Sequence, residues 1–103
     1  MKRAAMPRAS EFTKQFHKDW ARLGRTGRFD MECLKQVMLL LIANDAPLPP
    51  EWRDHALVGD WSGSCECHVG GDFLLIYQVD DAAGKSGTVV FVRAGTHAEL
   101  FRE

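Results

Sequence analysis

The chain has 103 residues, 46% hydrophobic and 26% charged, which is enough for one compact domain over residues 1–103 and too short for two. Its longest apolar run, residues 37–43, is far below the ~20 residues of a membrane-crossing helix, and no apolar stretch follows the basic start MKRAAMPRAS to make a secretory leader, so the expected location is the cytoplasm. The net charge of −1 hides an asymmetry: residues 1–28 hold eight Lys or Arg against Glu11 and Asp19, whereas the remainder is acidic and holds all but one of the four histidines, a pattern that fits either an RNA- or partner-steering surface or a solvated helix face.

In chain order, residues 2–7 offer at most a weak edge strand, because Pro7 and two alanines dilute it. From Ser10 to about Leu23, the apolar residues Phe12, Phe16, Trp20 and Leu23 recur at helical spacing, with Ser10 as N-cap. The segment Gly24-Arg25-Thr26-Gly27 breaks that helix. Asp30 caps a second one, whose Leu34, Val37, Met38, Leu41 and Ile42 form a wide apolar stripe. Pro47, Pro49 and Pro50 make residues 44–53 a loop with no more than one short turn. Three strands follow, over about 62–68, 72–79 and 88–94, the last two rich in Val, Ile, Phe and Tyr. Gly70-Gly71 and the stretch from Asp80 to Gly87 supply the turns. The short connections predict an antiparallel meander with the helical hairpin packed on one face, an α+β domain of two layers.

Strung along the second half are His55, His68, Asp72, Arg93 and His97. Imidazoles exchange protons near neutral pH, and a carboxylate and a fixed cation complete the set needed to cleave a phosphodiester without a metal. Three cysteines, Cys33, Cys65 and Cys67, are an odd count without repeated spacing, which suits reduced thiols better than disulfides. Cys65-Glu66-Cys67-His68 could be taken for a fragment of a zinc site. On a regular strand, however, the two cysteines share a face and His68 takes the other, so neither a metal nor another cofactor is expected. Cys33 is expected in the core, Trp52 over the proline loop, and Phe73 to Tyr77 in a buried strand.

Three blocks carry a resemblance. They are Asp54-His55 through Trp61-Ser62-Gly63, then His68-Val69-Gly70-Gly71-Asp72-Phe73, then Arg93-Ala94-Gly95-Thr96-His97 through Leu100-Phe101. Their order and separation closely resemble the YafQ-like branch of the RelE/ParE toxin superfamily over about residues 10–102. The resemblance implies a RelE-like microbial RNase fold and a ribosome-dependent endoribonuclease that cuts messenger RNA in the decoding site. It also implies a cognate antitoxin of RelB or DinJ type as partner, with the toxin itself a monomer. Its functional positions map to His55, His68, Asp72, Phe73, Arg93, His97 and Phe101.

Attack of a ribose 2′-hydroxyl on its own phosphate needs a base for the hydroxyl proton, an acid for the departing 5′-oxygen and a cation for the developing charge. His68 and His97 are the proton-transfer candidates, with His55 a third. Asp72 would orient or charge-stabilise one of them, Arg93 would hold the phosphate in a fork, and Phe73 and Phe101 would stack on the nucleotide. Phe101 serves equally as an anchor to the core. Relatives usually carry arginine where this chain has Cys65, a loss of charge expected to weaken phosphate binding. Two alternatives follow: a weakened toxin that mainly binds its antitoxin, or a gyrase inhibitor of the ParE kind.

Overall fold

In the computed structural model, which describes residues 6–81 and 87–101, the apolar run from Phe73 onward forms β4 (Phe73–Asp80), the middle strand of a five-stranded sheet. Its first five residues are all buried, as required of a strand covered on both faces. The sheet order is β1 (Ala9–Phe12), β5 (Thr88–Gly95), β4, β3 (Cys65–Gly70), β2 (His55–Ala56). Strands β3 to β5 form the expected antiparallel meander, and β2, a two-residue strand outside that expectation, extends it on the β3 side. Part of the turn between β4 and β5, residues 82–86, lies outside the described residues.

The sheet is mixed rather than wholly antiparallel, because β1 joins β5 in parallel, from Ala9↔Thr88 to Phe12↔Phe91. The expected edge strand at 2–7 is therefore displaced: Met6 and Pro7 are not in a strand, and residues 2–5 lie outside the described residues. Pairing of Ser10 with β5 also removes it from the role of helix cap. Helix α1 (Lys14–Thr26) starts four residues later, with the Thr13 hydroxyl accepting the Phe16 N–H at 2.9 Å. The helix continues through Gly24 and stops at Gly27, whose φ of 69° is the left-handed geometry that glycine adopts without strain. Helix α2 (Met31–Ala43) begins where its sequence says it should, with the Asp30 carboxylate accepting the Cys33 N–H at 3.0 Å. The proline loop contains one short turn, Pro50–Trp52, and Trp52 is buried against the sheet.

Both faces of the sheet are covered. On one side, Phe16 and Leu23 of α1 and Leu34, Val37, Met38 and Leu41 of α2 bury Cys67, Phe73, Leu75, Tyr77, Val89, Phe91 and Ala94. On the other side, Leu74 and Ile76 meet Leu100 of α3 (His97–Phe101), with Leu57, Trp61, Val92 and Phe101 around them. Two register shifts shape this second face. One places an extra residue, Val69, between the pairs His68↔Leu74 and Gly70↔Phe73, and the other leaves Val92 extra between Tyr77↔Phe91 and Ile76↔Arg93. Beyond Phe91 the outer edge of β5 has no strand beside it among the described residues, and α1 completes it. The Thr13 N–H donates to the Phe91 carbonyl at 3.1 Å, the Thr13 hydroxyl to the Val92 carbonyl at 2.7 Å, and Asp19 accepts the Ala94 N–H at 3.1 Å.

Candidate active site

Alternation along β3 sends Cys65, Cys67 and Val69 to the helix-covered side and leaves Glu66 and His68 on the other. Strand β2 adds His55 directly opposite Glu66. The Glu66 carboxylate is buried, with its Oε1 3.3 Å from His55 Nε2 and 3.5 Å from His68 Nε2. The His55 Nδ1 lies 2.9 Å from the Arg53 carbonyl, a partner that can only accept, so Nδ1 carries the hydrogen and Nε2 is turned to Glu66.

His97 opens α3. Its Nδ1 is 2.5 Å from Asp72 Oδ1, and its backbone N–H donates to the same oxygen at 3.2 Å. A carboxylate acceptor fixes the hydrogen on Nδ1 and turns Nε2 away from Asp72. The helix that presents it is short but capped at both ends of its first turn. The Thr96 hydroxyl accepts the Glu99 N–H at 3.2 Å, while the Glu99 carboxylate accepts the Thr96 N–H at 2.9 Å, a capping box. Ring centroids run 6.3 Å from His55 to His68 and 6.0 Å from His68 to His97. Phe101 closes the row, 5.9 Å from the His97 ring and edge-on to Trp61 at 5.7 Å. An open cavity of about 540 Å³ lies beside it, lined by Asp60, Trp61, Leu100 and Phe101.

Three sequence expectations meet a different geometry. Phe73 is 4% exposed and packs in the larger core, 4.8 Å from the Phe29 ring, so its face is not available for stacking on a base. The reason is alternation: it shares a side with Leu75 and Tyr77, opposite the histidines. Cys65 also points to the helix side, beside Asp54 and Tyr77 in a separate cavity. An arginine at this position would leave the strand on the face opposite His68. Arg93 is the third. Its Nε and Nη2 already donate to Asp19 at 2.8 and 3.2 Å, so only part of its fork remains for another anion. Glu66 is the site residue that sequence reasoning passed over, although the alternation that separated Cys67 from His68 places it on the histidine side.

Environment sorts the ionisable groups. Burial pushes the Cys67 thiol up to about 12, so it stays a protonated core group. Burial first, and then a hydrogen bond to Asp54, raises Tyr77, which leaves its hydroxyl as a donor that holds Asp54 next to His55. The Asp72 carboxyl is held below the ordinary carboxylate range, first by its bond to the His97 ring and then by the His97 backbone N–H. Any stability from this contact is therefore present above the unfolded carboxyl pKa and is lost as pH falls through the lowered folded value. An NMR titration is expected to show the Asp72 carboxyl midpoint moving upward in His97→Ala. An unchanged midpoint would mean that the contact does not form in solution.

Among the described residues, no group of three or more His, Cys, Asp or Glu is arranged to hold a metal ion, and no helix is long and apolar enough to cross a membrane. What the face does hold is two histidine–carboxylate groups, His97 with Asp72 and the His55–His68 pair with Glu66, side by side over an apolar floor. Residues 8–102 match the family described as the bacterial toxin of type II toxin-antitoxin systems, YafQ. The chain is 42% identical over 91 residues to the mRNA interferase toxin YafQ of Escherichia coli strain K12, covering 88% of this chain and 92% of that one. Among solved structures it resembles a chain of the E. coli DinJ-YafQ toxin-antitoxin complex (TM-score 0.78, 41% identity, 93% of this chain and 99% of that one). It also resembles a metal-bound toxin from Helicobacter pylori (TM-score 0.75, 38% identity, 90% and 98%). With the match spanning almost the whole chain in both sequence and fold, this protein belongs to the YafQ family of bacterial toxins.

Proposed function

We propose that the chain is the toxin of a type II toxin-antitoxin pair and a member of the RelE/ParE superfamily, a ribosome-dependent endoribonuclease that cuts messenger RNA in the ribosomal A site. The observation that carries this reading is the row His55, His68 and His97, each ring next to a carboxylate. One centre removes the proton from the 2′-hydroxyl as it attacks the adjacent phosphorus. The other delivers a proton to the 5′-oxygen as the P–O bond breaks, leaving a 2′,3′-cyclic phosphate and a 5′-hydroxyl. His97 exchanges through Nε2 with Asp72 as its orienting partner. Glu66, which meets Nε2 of His68, plays the same part for that ring, whose exchanging atom is Nδ1. His55, held at Nδ1 by the Arg53 carbonyl and at Nε2 by Glu66, flanks the row. Arg93 offers its remaining guanidinium edge to the phosphate, Phe101 supplies an aromatic surface at the end of the row, and no metal takes part.

The relatives' names support an antitoxin of DinJ type as the partner that restrains the chain. A pI near 6.4 fits RNA delivered by the ribosome in the cytoplasm better than capture of free RNA, because indiscriminate nucleic-acid binders are strongly basic. The purified chain, stripped of transition metals by chelation and mixed with programmed ribosomes in magnesium buffer, is expected to cut the message at the A-site codon. A DinJ-type antitoxin should suppress the cut. Equal cleavage of free and ribosome-bound RNA would overturn ribosome dependence, and cleavage restored only by an added transition metal would overturn the metal-free mechanism.

A further inference from the structure

Asp19 lies on α1, an element of the helix-covered side, yet it reaches toward the strand that leads into the active face. It is fully buried, and four donors converge on its carboxylate: Arg93 Nε at 2.8 Å, Arg93 Nη2 at 3.2 Å, the Ala94 N–H at 3.1 Å and Arg22 Nη1 at 3.2 Å. A carboxylate withdrawn from water is tolerated only with such compensation. Arg22 extends the network, with Nη2 3.4 Å from Glu99 Oε1, the oxygen that also accepts the Thr96 N–H at the start of α3. Between Arg93 and α3 stands Gly95, where a Cβ would come within 2.7 Å of Glu99 Oε1 and 3.3 Å of Arg22 Nη2. Absence of a side chain there is what lets the link close.

We infer that Asp19 is a positioning residue for RNA cleavage. It turns two of the three guanidinium nitrogens of Arg93 toward itself, which fixes the direction in which the third faces. Through Arg22 and Glu99 it also ties the helix bearing His97 and Phe101 to α1. The inference rests on the reading of the histidine face as the cleaving site. It adds a requirement that the face alone does not contain: a charged contact from an element that touches none of the reacting groups.

The test measures kcat and KM for ribosome-bound message in Asp19→Asn, Arg93→Gln and the double variant, each at a temperature where its unfolding curve shows full folding. Asp19→Asn is expected to lower kcat at least tenfold with KM within about twofold. The double variant should lose less than the product of the two single losses, because part of the Asp19 effect runs through Arg93. A purely structural role would lower the melting temperature and leave kcat of the folded fraction unchanged, and that result, or losses that multiply, would overturn the inference. Should Asp19→Asn not fold, Arg22→Met and Glu99→Gln take its place. A severalfold fall in kcat in both supports the network, and wild-type rates in both reject it. His97→Ala in the same assay separates the two levels. Full cleavage by that variant sinks the reading of the face, whereas its inactivity beside a fully active Asp19→Asn sinks only the role of Asp19.

Discussion

Substitution of His97 by alanine should reduce cleavage of ribosome-bound messenger RNA by about two to four orders of magnitude, the usual worth of a positioned proton-transfer group, while leaving the domain folded. The imidazole is 41% exposed, and α3 is held by other means, through the Thr96–Glu99 capping box and the buried Leu100. Loss of such a partly exposed ring away from the main core is expected to change stability by no more than about 0.5 kcal/mol. Single-turnover rates and a thermal melt of the same preparation check both halves. Asp72→Asn should be milder, since it removes the group that fixes the His97 tautomer rather than the ring that moves the proton. A His97→Ala protein that cuts at the wild-type rate would place the chemistry elsewhere, and one that fails to fold would assign His97 a structural role that its surroundings do not indicate.

Phe73 should show the opposite signature. Phe73→Ala is expected to cost about 3–5 kcal/mol, because the side chain is 4% exposed and fills the space between Phe29 and the sheet. Against the ~5–15 kcal/mol that holds a typical domain, this is a large share, visible as a marked fall in the urea midpoint. Phe73→Leu retains most of the volume and should lose far less. For both variants, cleavage per folded molecule should match the wild type. A nucleotide-stacking residue would behave differently, keeping its stability and losing KM or kcat. That outcome would require β4 to be turned over relative to the arrangement described.

Local pattern carried much of this fold. The Leu34, Val37, Met38 and Leu41 stripe with its Asp30 cap marked α2, and the Val, Ile and Phe runs marked β4 and β5. Pairing with a distant segment is what pattern could not supply. Strand β1 has no residue of its own buried, and only its bonds to β5 make it a strand. That pairing moved the helix cap from Ser10 to Thr13. The same limit applies to the site. The histidines and Asp72 were legible because their chemistry is, but Arg93 looked free until its partner arrived from a helix 74 residues earlier. Two further signals lie in the sequence itself. Alternation in Cys65-Glu66-Cys67-His68 puts Glu66 beside His68, and Thr96-His97-Ala98-Glu99 has the spacing of a capping box, which identifies α3.

The extra residue at Val92 bears on how this chain can change. In a regular strand Phe91 and Arg93 would share a side, but here Phe91 and Ala94 both enter the helix-side core, while Arg93 stands opposite Ile76 on the other. Strand β5 thus changes parity in the middle, with packing before the change and the lead into α3 after it. Taking Val92 into regular pairing, with no change of sequence, would invert everything from Arg93 to Phe101, whereas deleting it would leave Phe91 and Arg93 on the faces they hold now. In most of a protein's surface a one-residue gain or loss is absorbed by a loop. Within β5 the bulge absorbs it instead, and related chains that differ by one residue between Phe91 and Arg93 keep the same faces as long as Phe91 stays opposite Tyr77 and Arg93 opposite Ile76.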